Sequence, residues 1–299
     1  MHISAGSFAA AAFLTLPVFV AAQPRLLTSA DLASFESPEP DHRIAYGADP
    51  LQYGELRLPE GKGPHPVAIL IHGGCWLSEY DIAHLRKLAA ALTGTGVATW
   101  AIEYRRVGNA GGGWPGTFLD VAAGADHLKA LASSYPLDLD RILAIGHSAG
   151  GHLALWLAAR SRLRDREPFR TEDPILPRAV LGLAPAPDLA YLHETDACDS
   201  AVDRLLGGSP RAQAERYALS SPTSLVPLGV PQVVLLGRYD GNWAPVGRRY
   251  FDQATASGDD VRLLEAPESG HFEMIDPDST TWPMVADAVR DLLKRLERR

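Results

Sequence analysis

A serine becomes a nucleophile only where the backbone thrusts its hydroxyl outward and a base can reach it. Residues 141 to 151, Arg-Ile-Leu-Ala-Ile-Gly-His-Ser-Ala-Gly-Gly, have the composition for the first condition. The Gly146-His147-Ser148-Ala149-Gly150 spacing places Ser148 on a sharp strand-to-helix turn, where small residues two positions to either side let strand and helix close up while the hydroxyl stays accessible. Ile142, Leu143 and Ile145 supply a short buried strand, and Ala149 to Ala159, with Leu153, Leu155, Trp156 and Leu157, a mostly buried helix. Attack by such a serine on a carbonyl creates a tetrahedral oxyanion that needs main-chain donors. Val67 to Trp76 reads as a buried strand that breaks at His72-Gly73-Gly74, exposing consecutive N–H groups that the N–H of Ala149 can join. One such donor is typically worth about 3 kcal/mol.

Positioning these groups takes a sheet. Of 299 residues 46% are hydrophobic and 21% charged, enough for one large α/β domain. Arg43 to Gly47 and Tyr53 to Leu58 read as an opening hairpin, and Val97 to Tyr104, Arg178 to Ala184, Val230 to Gly237 and Val261 to Ala266 as further strands. Helical patterns lie between them: Ile82, Leu85, Leu88 and Leu92; then Val121, Ala125, Leu128 and Leu131; and finally Trp282, Val285, Val289, Leu292 and Leu296. This alternation predicts a mostly parallel sheet with helices on both faces. Between about 185 and 229 the pattern breaks into short helical pieces, read as a small helical lid over the site. The net charge of −8 argues against a nucleic-acid or anionic-membrane partner. Arg160, Arg162, Arg164, Arg166 and Arg170 follow the helix that starts after Ser148 and read as solvated cations near its terminal carbonyls. No Cys/His spacing suggests a metal, and no glycine-rich loop suggests a nucleotide, so no cofactor is expected.

With His72-Gly-Gly-Cys-Trp76 followed by Gly146-His-Ser-Ala-Gly-Gly151, the chain resembles the α/β-hydrolase superfamily over nearly its whole length, in the branch of kynurenine formamidases and their esterase relatives with their HGGxW motif. The resemblance implies an oxyanion hole of the Gly74, Cys75 and Ala149 amides. In that fold the chain order is nucleophile, acid, histidine, which selects His271, in Glu268-Ser-Gly-His-Phe-Glu273 after the last strand, from the ten histidines. Asp240, on the loop after Val233 to Gly237, is the expected carboxylate. Pro245 comes one residue later than the family pattern places it, which leaves Asp188 as a rival. His72 is expected to order the oxyanion loop, His147 and His152 to be structural and turned away by the elbow, and His193 to lie at the surface. Trp76, Trp114 and Trp243 fall on loops at the carboxyl ends of strands and could wall a substrate pocket.

Residues 1–22 end in a short alanine-rich apolar run with small residues at Val20 and Ala22, the pattern of a secretory signal. The remaining domain, 23–299, is then expected to be exported, periplasmic or secreted, without a stable membrane span. Gln23 to Asp41 reads as a polar surface lead-in. Export permits a Cys75–Cys198 disulfide, but sequence supplies no distance and leaves the pairing open. The expected activity is metal-free hydrolysis of small carboxylic esters through an acyl-enzyme. Arylformamide hydrolysis is the alternative that the resemblance brings, weakened by the signal; a peptidase lacks room for a propeller domain, and an inactive binding module has no use for Ser148, His271 and the amides together.

Overall fold

The apolar runs pair into one eight-stranded sheet in the order β1-β2-β4-β3-β5-β6-β7-β8. These strands are β1 (His42–Ala45), β2 (Tyr53–Arg57), β3 (His65–Ile71), β4 (Ala98–Ile102), β5 (Leu137–His147), β6 (Ala179–Leu183), β7 (Gln232–Gly237) and β8 (Val261–Ala266). The computed structural model describes residues 1–2 and 25–298, so all but the first two residues of the expected signal lie outside the described residues. Strands β1 and β2 form the hairpin, β2 runs antiparallel to β4, and every later pairing is parallel. Parallel strands covered on both faces need no polar alternation, and the central strands β4, β6 and β7 are buried at every position.

Among the described residues, the helices in chain order are α1 (Ser29–Leu32), α2 (Arg86–Gly94), α3 (Gly116–Asp126), α4 (Leu128–Ala132), α5 (Ala149–Ala158), α6 (Leu189–Thr195), α7 (Ala201–Leu206), α8 (Ala214–Ser220), α9 (Pro222–Leu225), α10 (Ala244–Ala256) and α11 (Trp282–Leu296). None is long and apolar enough to cross a membrane. The architecture is that of the α/β-hydrolase fold. Because β4 lies on one side of β3 and β5 on the other, the winding reverses at β3, and a crevice opens at the carboxyl ends of β3 and β5. Gly73 and Gly74 follow the first of these strands and Ser148 the second.

The arginines after α5 are not all solvated. Arg160 is buried, its Nη1 and Nη2 donating to Asp126 Oδ1 and Oδ2 at 2.9 and 2.7 Å. A bidentate carboxylate satisfies a guanidinium well enough to bring it inside, and sequence proximity to a helix end conceals that partner.

Candidate active site

Gly146 is the penultimate residue of β5 and Gly150 lies in the first turn of α5. A Cβ on the first would run into the Gly150 carbonyl, and one on the second into the Ile71 carbonyl at the end of β3. With both clearances available the chain turns at Ser148 with φ 56° and ψ −121°, a left-handed conformation that a non-glycine residue holds only when its surroundings impose it. They do: the Ser148 N–H donates to Leu183 O at 2.9 Å, and its carbonyl accepts from His152 and Ala186. The Ala149 N–H heads α5 with no acceptor among the described residues, at the positive end of the helix dipole.

Ser148 lines a cavity of about 150 Å³ with Gly74, Cys75, His147, Trp243 and His271, closed by Ser29, Tyr80, His84 and Phe272. The structure therefore brings Ser148, His271 and the Gly74 and Cys75 loop to one space. His271 Nδ1–H donates to Asp240 Oδ2 at 2.6 Å, leaving Nε2 with no partner among the described residues. Asp240 is buried, and its other oxygen accepts the Trp243 N–H at 3.2 Å, so its direction is fixed from both sides. Asp188 is elsewhere, capping α6 through the Tyr191 N–H at 3.0 Å and facing Arg249 at 3.5 Å.

The loop after β3 departs from ordinary backbone over three residues, with φ of 105° at Gly74, 49° at Cys75 and 58° at Trp76. Glycine suits the first, where the Tyr80 ring also occupies the space a Cβ would need. The other two are held by tertiary contacts. Cys75 is bridged to Cys198 on the segment before α7, with Cα atoms 5.8 Å apart, which resolves the pairing that the sequence leaves open. Trp76 is fully buried and its Nε1–H donates to His152 Nδ1 at 3.2 Å; His152 in turn donates Nε2–H to Ser220 O at 2.9 Å. Trp76 is therefore a packing residue and not a cavity wall. Trp114 is likewise absent from the cavity, packed among Phe118 and Phe169 at ring distances of 5.7 and 5.0 Å. Both follow strands, yet Trp76 is drawn wholly into the core and Trp114, half-buried, packs against it on other aromatic rings, where a large apolar ring gains from burial. Of the three tryptophans only Trp243 lines the cavity, stacked on the His271 ring at 5.1 Å.

His72 fulfils the ordering role: its Nδ1–H donates to Gly73 O at 2.9 Å and its Nε2 lies 3.1 Å from Glu103 Oε1. Glu103 also accepts from Arg106 at 2.6 Å and from the Tyr104 and Ile82 amides at 2.7 and 3.0 Å. Burial would raise its carboxyl pKa, but His72, Arg106 and the Tyr104 amide overcome that and hold it at about 2. Sequence reasoning gives no role to this buried hub, whose partners come together only in three dimensions.

His147 differs from expectation. Its ring lies 4.6 Å from that of His271, its Nε2–H donates to the His271 carbonyl at 2.8 Å, and its Nδ1 accepts from His84 Nε2–H at 2.8 Å. Burial, reinforced by neighbouring histidines, pushes His147 well below the usual imidazole range and His84 down to about 3. Both are neutral at ordinary pH, so neither opposes a positive charge on His271. His193 is half-buried and pairs with Asp203 at 2.6 Å. Helices α6 to α9 stand where the lid is expected, but none of their residues lines the cavity; α8 is fastened to α5 through Trp156 Nε1–H donating to Leu219 O at 3.0 Å.

Residues 55–242, spanning the Gly74–Cys75 loop, Ser148 and Asp240, match the BD-FAE family. The chain belongs to the BD-FAE family. This BD-FAE chain is 26% identical over 220 residues to "Probable carboxylic ester hydrolase LipM" of Mycobacterium tuberculosis, covering 71% of the chain and 51% of the relative. It is 30% identical over 144 residues to "Probable isoprenylcysteine alpha-carbonyl methylesterase ICMEL1" of Arabidopsis thaliana, covering 48% and 28%. The chain thus spans about half or less of the length of these curated relatives. Among solved structures, inhibited esterase B of Lactobacillus rhamnosis superposes with a TM-score of 0.76 at 22% identity, over 90% of this chain and 91% of that one, a likeness of fold.

Proposed function

We propose that the protein is a serine hydrolase of carboxylic esters. The observation that carries this reading is the His271–Asp240 hydrogen bond of 2.6 Å beside the cavity that Ser148 shares with the Gly74–Cys75 loop. Ser148 Oγ attacks the ester carbonyl carbon while His271 Nε2 takes the hydroxyl proton. Asp240 fixes the Nδ1–H tautomer and stabilises the imidazolium, and neutral His84 and His147 add no opposing charge. The Gly74, Cys75 and Ala149 amides receive the oxyanion in a space where each donor is worth about 3 kcal/mol. Collapse breaks the ester C–O bond, and the imidazolium protonates the departing alcohol. Water, deprotonated by the same histidine, then attacks the acyl-enzyme and releases the acid.

Support for an ester over a formamide comes from the relatives, whose printed names are ester hydrolases. Export is part of the proposal, supported by the apolar run before residue 23 and by a Cys75–Cys198 bridge that suits an oxidising compartment. The decisive comparison is kcat/KM for p-nitrophenyl acetate or butyrate against N-formylkynurenine. The ester should win; an advantage for the formamide transfers the site to arylformamide hydrolysis with the same triad.

A further inference from the structure

The polar lead-in before β1 is not a bystander. Glu273, buried two residues after His271, gives one carboxylate oxygen to each of two main-chain amides: Oε1 accepts the Leu27 N–H at 2.5 Å and Oε2 the Gly270 N–H at 2.7 Å. Leu26 closes on the same loop, since a Cβ on Gly270 would sit 3.2 Å from its Cδ1. The segment is braced internally by the Thr28 N–H and hydroxyl, both donating to Asp31 Oδ2 at 2.8 and 2.7 Å. Its far end is held by the Lys87 ammonium, 4.3 Å over the Phe35 ring and paired with Asp276 at 2.6 Å.

Helix α1 has four residues, too few for helical cooperativity, and of these only the half-buried Leu32 packs against the core. What it does is stand at the mouth of the site. Ser29 lines the Ser148 cavity and also a neighbouring one of about 250 Å³; Tyr80 and His84 are the other residues common to both. Ser29, Tyr80 and His84 thus form the partition between the two cavities.

We propose that residues 25–35 form a fixed strap that limits the size of ester the site accepts, with Ser29 as a specificity-determining wall and Glu273 as the positioning residue that clasps the strap to the His271 loop. This inference rests on the ester-hydrolase reading. Glu273 supplies two charge-assisted acceptors, and no neutral side chain of the same shape can receive both amides. Releasing the Leu27 bond loosens the strap at its clasp, beside Ser29, without altering the Gly270 bond, so the two roles separate.

Leu27→Pro deletes that N–H and should raise kcat/KM for p-nitrophenyl octanoate or for octyl acetate, relative to p-nitrophenyl or methyl acetate, by about tenfold, the scale on which pocket fit discriminates added methylenes. Ser29→Trp should move the same ratios the other way. Glu273→Gln should shift them as Leu27→Pro does and also lower kcat for the short esters, because Gly270 adjoins His271. Circular dichroism checks folding, and if Leu27→Pro fails it, Ser29→Trp decides. If wild-type protein hydrolyses no ester, the ester reading falls, and the strap is read instead from rates of Ser148 labelling by ethyl and octyl fluorophosphonates. Size ratios that stay at the wild-type value in the folded variants overturn the proposal.

Discussion

Cutting the Cys75–Cys198 bridge by Cys198→Ser should damage stability and catalysis together, for separable reasons. The bridge closes a loop across a sequence separation of 123 residues. The chain-entropy relation for such a loop gives about 16 cal/mol/K, or about 5 kcal/mol at 25 °C, while measured losses for removed native bridges run from about 2 to 5 kcal/mol. With a urea slope near 3 kcal/mol/M, the unfolding midpoint should fall by about 0.7 to 1.7 M. The catalytic effect is local. Cys75 and Trp76 both stand at positive φ, 49° and 58°, and each such residue costs on the order of 1–3 kcal/mol. Once untethered, Cys75 can return to negative φ and turn its N–H away from the oxyanion. Complete loss of one donor costs about a hundredfold or more in kcat. Buried Trp76, still bonded to His152, restrains the loop, so the loss should stay below that ceiling. Urea titration and kcat for a short ester, with wild-type protein under reductant as a second route to the same state, measure both effects. A midpoint and a kcat within error of wild type would refute the reasoning and leave Trp76 as the sole support of the loop.

Asp240→Asn should keep the shape of the His271 contact but lose its charge and tautomer preference, lowering kcat by on the order of ten-thousandfold; Asp188→Asn keeps an oxygen to cap α6, loses only the charge facing Arg249, and should leave kcat in place. Reversed effects in steady-state kinetics would hand the role to Asp188. Burial pushes the His152 imidazole down to about 4 from its ordinary 6.5. As pH falls below about 6.5 the unfolded chain binds a proton there that the folded chain refuses, so stability drops by up to about 1.4 kcal/mol per pH unit and levels off near the folded value. His152→Gln should flatten the dependence of unfolding free energy on pH by one proton between neutrality and pH 4, and an unchanged slope would contradict the assignment.

Local constraints explain what the sequence reveals. The elbow is legible because Gly146 and Gly150 are needed where the Ile71 and Gly150 carbonyls leave no room for a Cβ, and the central strands because burial on both faces demands continuous apolar runs. His271 and Asp240 are legible through chain order, since β7 and β8 are neighbours and their loops emerge side by side. What sequence conceals is convergence. Ser29, Tyr80, His84 and Phe272 meet at one cavity from segments that share no local pattern. His147 occupies the variable position of the elbow, where spacing says nothing of a bond to the carbonyl of His271. Trp76 and Trp114 illustrate the opposite failure: placement after a strand is compatible with either a pocket wall or packing on the core, and the ring's tertiary contacts decide. Arg160 is read as solvated because its partner, Asp126, lies 34 residues away.

The central claim, ester hydrolysis through acylation of Ser148, is tested most directly by trapping the intermediate. Rapid acid quench of the protein during turnover of p-nitrophenyl butyrate, followed by peptide mass spectrometry, should find one butyryl group on the peptide containing Ser148, with neither adduct nor turnover in Ser148→Ala. Turnover that survives in Ser148→Ala, or a butyryl group found on a different residue, would contradict it.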